Sequence, residues 1–327
     1  MNRRSLFAIL SSLMVGGRTL DAEAAAAGTF PDKPISLIVP FGPGGATDIV
    51  ARSLTVEGAA QLGQPFVVFN RPGASATLGT AEVFRARPDG YTLLLADNIS
   101  TVLQPKRMKL PYQGARDFEP VIKVADIPNV LAVRADARWK TLADFVADAQ
   151  SRPGSMRVST AGQFTGTDLN IRELNHVGRM DTTPVPVSGG TGAAVTLLLG
   201  GHVEAVVASS AAIVSFVQGG KLRPLTVFAK RRISLFPDLP TTSEAGYETT
   251  MRVMAFVSAP KGLDSAVLEK LHGGLAAAIQ SSRFRDFAAR TGYQIDPAGP
   301  QALSTELEGW GKYFTGLLRQ LGPEAPK

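Results

Sequence analysis

Short apolar runs alternate with amphipathic stretches along most of this chain. Residues 35–40 are a compact apolar run bounded by prolines, which predicts a strand buried on both faces. A glycine-rich loop follows, Phe41-Gly42-Pro43-Gly44-Gly45-Ala46-Thr47-Asp48. Residues 49–62 then form an amphipathic helix that stops at Gly63. The unit repeats, with strands predicted at 66–69 and 91–96, a helix at 77–86, and polar loops at 70–73 and 88–90. Strands and helices alternating at this spacing imply a parallel sheet covered by helices.

A second α/β set is expected to start near Val121. Its strands are predicted at 130–133, 156–159, 183–187, 205–208 and 225–229. The intervening helices fall at 142–150, capped by Thr141, and at 169–175, 193–199 and 211–217. A strand-like segment at 249–257 leads to two terminal helices, 265–280 and 301–321, which are expected to return to the first set. The expected division is therefore a discontinuous first lobe, 28–128 plus 250–327, and a second lobe, 129–249. Crossing segments near 121–133 and 249–257 would form the hinge. No internal repeat is evident.

Length supports two lobes, since 327 residues exceed the usual size of one hydrophobic core. The formal charge of +6 is scattered, apart from Lys230-Arg231-Arg232, so there is no phosphate-tracking stripe and nucleic acid is not an expected partner. The first residues have the anatomy of a secretory signal: Arg3 and Arg4, an apolar run at 6–15, and an alanine tract at 22–27. Cleavage is expected near Ala27, and a twin-arginine route is compatible with Arg3-Arg4. The apolar run is shorter than the roughly 20 residues a bilayer requires. With no cysteine, neither a disulfide nor a lipid-modified Cys is available. A freely soluble periplasmic monomer is the expectation.

The glycine loop is the strongest local signal. Without Cβ atoms at Gly44 and Gly45, backbone N–H groups at the following helix start can converge on an oxyanion, aided by the positive end of the helix dipole. A plain strand–helix turn capped by Thr47 or Asp48 explains the residues equally well. Asp48 can also pair with Arg52 one turn on. A second loop of the same kind runs from Ser159 to Thr167, and a third spans Val187-Ser188-Gly189-Gly190-Thr191-Gly192. Nucleotide readings fail: the first loop lacks the third glycine of GxGxxG, Asn70 stands where a ribose-binding acid belongs, and Gly219-Gly220-Lys221 is followed by leucine. His176, His202 and His272 are far apart, so no metal or cofactor is expected. No GxSxG elbow occurs.

The order of short words along the chain resembles the Bug-type solute-binding receptors of tripartite tricarboxylate transporters. They include Ile38-Val39-Pro40-Phe41 with Gly44 to Asp48, Asn70-Arg71-Pro72-Gly73-Ala74, Pro88-Asp89-Gly90-Tyr91, Asp117-Phe118-Glu119-Pro120, and Pro237-Asp238-Leu239-Pro240-Thr241. The resemblance implies an α/β, type II periplasmic binding protein fold: two α/β lobes on a two-segment hinge, with the ligand cleft between them. It implies no enzyme activity, a small organic acid as ligand, and the permease subunits of a tripartite tricarboxylate-type transporter as membrane partner. Carried over by position, the first lobe would supply Phe41, Gly44, Gly45, Ala46, Thr47, Asp48, Asn98 and Ser100. The second would supply Thr160, Gly162, Gln163, Thr165, Ser188, Gly189 and Gly190.

The chain departs from the family pattern inside the cleft. Phe164 stands at a usual glycine, Asp168 at a common histidine, Val187-Ser188 at a common Tyr-Lys, Ala208 at a usual aspartate and Met254 at a usual tryptophan. A monocarboxylate, an aromatic acid or an amide-like ligand is thus as compatible as a dicarboxylate. Two rival functions stay open on sequence: a ligand-sensing receptor for a signalling partner, and a periplasmic hydrolase using Asp48 or Asp168 as base.

Overall fold

The computed structural model describes residues 30–320, so the expected signal segment and the end of the last helix at Leu321 lie outside the described residues. Two sheets organise the chain. The first contains β1 (Ile35–Val39), β2 (Phe66–Asn70), β3 (Thr92–Asp97), β4 (Phe118–Ile127), β10 (Val253–Pro260) and β11 (Gln294–Ala298), in the order β11-β4-β10-β3-β1-β2. The second contains β5 (Asn129–Arg134), β6 (Met156–Thr160), β7 (Thr182–Pro186), β8 (Ala205–Ser209) and β9 (Leu222–Phe228), in the order β7-β6-β8-β5-β9. In each sheet three neighbouring strands run parallel, and the strands beyond them pair antiparallel.

Each sheet is covered on both faces. In the first lobe α1 (Ala46–Leu62), α8 (Ser265–Gln280) and α9 (Ser282–Thr291) pack Leu54, Leu275 and Phe284 on one face. On the other, α2 (Thr77–Phe84) and α10 (Pro300–Gln320) pack Val83, Leu307 and Phe314. The strand period of two sorts the β1 side chains, sending Leu37 and Val39 to the first face and Ile38 to the second. In the second lobe α4 (Leu142–Ser151) and α5 (Gly166–Val177) cover one face with Phe145 and Leu174. There α6 (Gly190–Leu199) and α7 (Ser210–Gln218) cover the other with Leu198 and Ile213.

The sequence expectations need three adjustments. The second set does not begin near Val121, because residues 118–127 form β4 of the first sheet and the chain changes sheets at Pro128 alone. Proline has no N–H to give a ladder, so it ends one strand and frees the next to pair elsewhere. The returning strand starts at Val253, paired with Ile127, so the two crossings lie side by side. Between the terminal helices stand α9 and β11. The first is capped by Ser281, whose Oγ accepts from Phe284 N at 3.1 Å. The second carries Pro297 and is accordingly an edge strand.

Candidate functional site

After β1, the loop at Gly42–Gly45 turns into α1 with Gly44 in the left-handed region, φ +77°. Gly44 N donates to Asp48 Oδ2 at 2.8 Å, Arg52 Nε donates to the same oxygen at 2.9 Å, and Asn70 Nδ2 donates to Oδ1 at 2.8 Å. Asn70 also donates to the Phe41 carbonyl. Burial by itself would raise the Asp48 pKa, but hydrogen bonds from Arg52, Gly44 and Asn70 outweigh it and hold the carboxyl below its usual range. Asp48 is therefore a buried brace that shapes the loop, and the first-turn position of Thr47 is buried beside it.

The loop after β6 repeats this construction. Phe164 N donates to Asp168 Oδ2 at 2.8 Å and Arg172 Nε donates to the same oxygen at 2.9 Å. Thr165 N reaches Gly162 O at 3.3 Å, matching Gly45 N to Gly42 O at 3.3 Å. Behind the likeness is a pattern the sequence reading passed over: Gly-x4-Thr-Asp-x3-Arg occurs at 42–52 and again at 162–172. The absence of an internal repeat is thus corrected at the scale of one loop. Two positions differ. Phe164 takes the place of Gly44 and keeps a left-handed φ of +54°. Strand registers put Val185 where Asn70 sits, and Asp168 Oδ1 is buried with no hydrogen-bond partner.

Helix starts divide into two kinds. Among the described helices, α4, α8 and α9 have side-chain caps, from Thr141, Asp264 and Ser281. The three loop helices α1, α5 and α6 begin at Gly45, Thr165 and Gly189 with no side-chain cap bond; α2, from Ala76, and α7, from Ser209, lack one too. Thr165 Oγ1 instead donates to Gly162 O at 2.8 Å. The first N–H groups of an uncapped helix have no intrahelical acceptor and carry the positive end of its dipole. All three loop helices start at the C-terminal ends of parallel strands. Val187 N donates to Thr160 O, joining the third loop to the second, so Ser188, Gly189 and Gly190 lie beside Thr160, Gly162 and Gln163. Thr160 Oγ1 is buried and unpartnered at the base of that loop.

The two lobes meet at these ends. A single π-type turn, Ile99–Leu103, continues from β3 into the short α3 (Gln104–Arg107). From α3 the Arg107 guanidinium lies 3.2 Å from the centroid of the Phe164 ring, across the gap. Phe164 is 2% exposed and shares the first lobe's core with Ile38, Leu94 and Met254. Two sequence-predicted residues have their polar groups engaged internally. Asn98 Nδ2 donates to Arg252 O and its Oδ1 accepts from Met254 N, extending the β3–β10 ladder. Ser100 Oγ donates to Asp97 O, and Ser100 N donates to Asp97 Oδ1 at 2.7 Å. Burial pushes the Asp97 carboxyl up.

Glu173, a residue the sequence did not single out, ties the hinge. Its carboxylate accepts from Thr250 N and Met251 N, each at 2.9 Å, and from Tyr313 OH at 2.8 Å. Those bonds link α5 of the second lobe to the returning crossover and to α10 of the first. A separate groove of about 700 Å3 lies between α10 and residues 102–120, lined by Lys106, Arg116, Lys261 and Arg319 among others, and no residue of either loop lines it.

The family model of the tripartite tricarboxylate transporter family receptor, TctC, matches residues 50–305. The chain belongs to this family. BugT of Bordetella pertussis is 31% identical over 98% of this chain and 99% of that protein. Among solved structures, an R. palustris protein with adipate has a TM-score of 0.81 and 27% identity, covering 90% of this chain and 98% of that one. MatC from Rhodopseudomonas palustris with bound malate has a TM-score of 0.77 and 29% identity, covering 88% and 99%. The fold is that of the TctC and Bug solute-binding proteins, and as a TctC receptor the chain binds a solute and is not an enzyme.

Proposed function

We propose that this TctC receptor is a periplasmic protein that captures a small organic acid between its lobes and delivers it to the membrane subunits of a tripartite tricarboxylate transporter. The lobes, 28–128 with 250–327 and 129–249, close as units about the paired crossings at Ile127–Asn129 and Met251–Val253. The observation that carries the reading is the placing of uncapped helix starts in both lobes at strand ends that face each other. The carboxylate is held from one side by main-chain donors at Ala46 and Thr47, with the Gly44 and Gly45 N–H groups engaged by Asp48 and Gly42 to shape the loop, and from the other by Thr160, Gly162, Gln163, Thr165 and Ser188 to Gly190. Phe41 walls the first loop and Asp48 holds it in shape, while Asn98 and Ser100 brace the turn after β3 through Arg252, Met254 and Asp97. The malate and adipate in two relatives support a carboxylate as the guest.

Magnitudes agree. Charge-assisted hydrogen bonds contribute about 1.5–3 kcal/mol each, and micromolar affinity corresponds to about −8 kcal/mol, so a handful suffice after the cost of closure. The guest favours the closed form because only that form offers donors from both lobes. The test is calorimetry with a panel of small carboxylates on the wild type and on Gly45→Val. A Cβ at Gly45 would lie 3.2 Å from Gly42 O, a tight contact the loop must absorb, and the added side chain crowds the cradle; a wild-type circular dichroism spectrum and urea midpoint identify the variant as folded. Loss of the best ligand's binding is expected; a variant that binds as tightly as the wild type places the carboxylate elsewhere.

A further inference from the structure

Three polar groups at the meeting of α3 with the second loop are buried and lack a hydrogen-bond partner: Gln104 Nε2, Arg107 Nε and Asp168 Oδ1. Gln104 and Asp168 are both fully buried. Their orientation is set by bonds at their other ends. Arg107 Nη1 donates to Gln104 Oε1 at 3.1 Å, which leaves the Gln104 NH2 as a free donor. Phe164 N and Arg172 Nε both bond Asp168 Oδ2, which leaves Oδ1 as a free acceptor. The Phe164 ring connects the two halves, with Arg107 at 3.2 Å and Arg172 at 5.5 Å from its centroid. In the first lobe the matching acceptor on Asp48 is taken by Asn70, so the unpaired oxygen is peculiar to the second loop. Buried polar groups without partners are costly.

We propose that Gln104, Arg107 and Asp168 form a polar subsite that selects an organic acid carrying a hydrogen-bond donor, a hydroxyl or an ammonium, beside a carboxylate. The inference rests on the interlobe cleft being the binding site. Gln104 and Arg107 offer donors to a carboxylate oxygen. Asp168 offers an acceptor that an unsubstituted carboxylate would meet with repulsion and that a hydroxyl or ammonium would satisfy. Burial supports the arrangement by pushing the Arg107 pKa down to about 10, a strain that an anionic partner relieves.

The test is calorimetry with succinate, L-malate and L-aspartate, which share a four-carbon diacid skeleton and differ in the donor. Wild type is expected to bind malate or aspartate about tenfold tighter than succinate, the worth of one charge-assisted bond. The two arms show whether hydroxyl or ammonium is preferred. Asp168→Asn can turn an amide N–H toward the subsite where the free acceptor was, and should bring the ratio near unity by weakening malate and aspartate and by relieving the repulsion that succinate meets. If Asp168→Asn fails to fold because the loop brace is weakened, Gln104→Leu gives the second reading: it should weaken all three acids together and leave their ratio intact. Succinate binding as tightly as both substituted acids in wild type, or an Asp168→Asn variant that keeps the full preference, overturns the subsite. If none of the three acids binds, the subsite as proposed is overturned; if all bind Gly45→Val undiminished, the cleft reading itself fails.

Discussion

Replacing Phe164 with glycine separates the energy that holds the lobes together from the energy that holds each lobe folded. The ring comes from the second lobe but is 2% exposed within the first lobe's core. Emptying such a site costs about 3–5 kcal/mol. Losing the Arg107 contact adds about 1 kcal/mol. The backbone offsets part of this, because φ at Phe164 is +54° and an L-residue there is strained by about 1–2 kcal/mol, which glycine relieves. The net is about 3 kcal/mol, and because it falls on lobe–lobe packing it should shift the closed-to-open ratio by about 150-fold. Small-angle scattering of the ligand-free protein should then show a larger radius of gyration for the variant. Phe164→Ala removes the same ring but retains the strain, so it should be less stable than Phe164→Gly by about 1 kcal/mol in urea. A variant whose scattering superimposes on the wild type while its urea midpoint falls by the full amount would refute the assignment of Phe164 to the interlobe contact.

Other changes read different parts of the molecule. Lys123 is fully buried among Asp126, Asp296 and Glu306, at 3.1, 2.6 and 3.1 Å, so Lys123→Met should leave unpaired carboxylates and cost about 3–5 kcal/mol in urea denaturation. Hydrogen bonds from Arg152 first, then from Arg138 and Trp139, lower the Asp148 carboxyl to about 2 although burial opposes them. A depressed carboxyl adds stability above its unfolded pKa and loses it as pH falls toward the folded one. The difference between wild type and Asp148→Asn should therefore be about 1 kcal/mol at neutral pH, the arginines being half-exposed, and should vanish near pH 2. A Cβ at Gly166 would lie 2.1 Å from Val253 Cγ2, so Gly166→Ala should destabilise by about 1–3 kcal/mol and be rescued in part by Val253→Ala. Additive losses in that pair would mean the clash is relieved elsewhere.

Local pattern determined a large share of this protein. Apolar runs such as 35–39 and 205–209 are strands, and the glycines that punctuate them mark the loops, because burial on two faces and left-handed backbone each demand particular residue types at one place. The three loop-to-helix starts, at Gly45, Thr165 and Gly189, were legible for the same reason. Tertiary structure alone decided what each residue faces. Asp48, Asn98 and Ser100 have the polarity of ligand contacts, yet their partners are Gly44 and Asn70, Met254, and Asp97, supplied by chain near and far in sequence. The switch of sheets at Pro128, the edge position of β11 and the passage of Phe164 into the other lobe's core depend on pairings across more than a hundred residues. A one-dimensional period reports that a side chain is buried; which surface buries it is settled only when distant segments compete to pack against it.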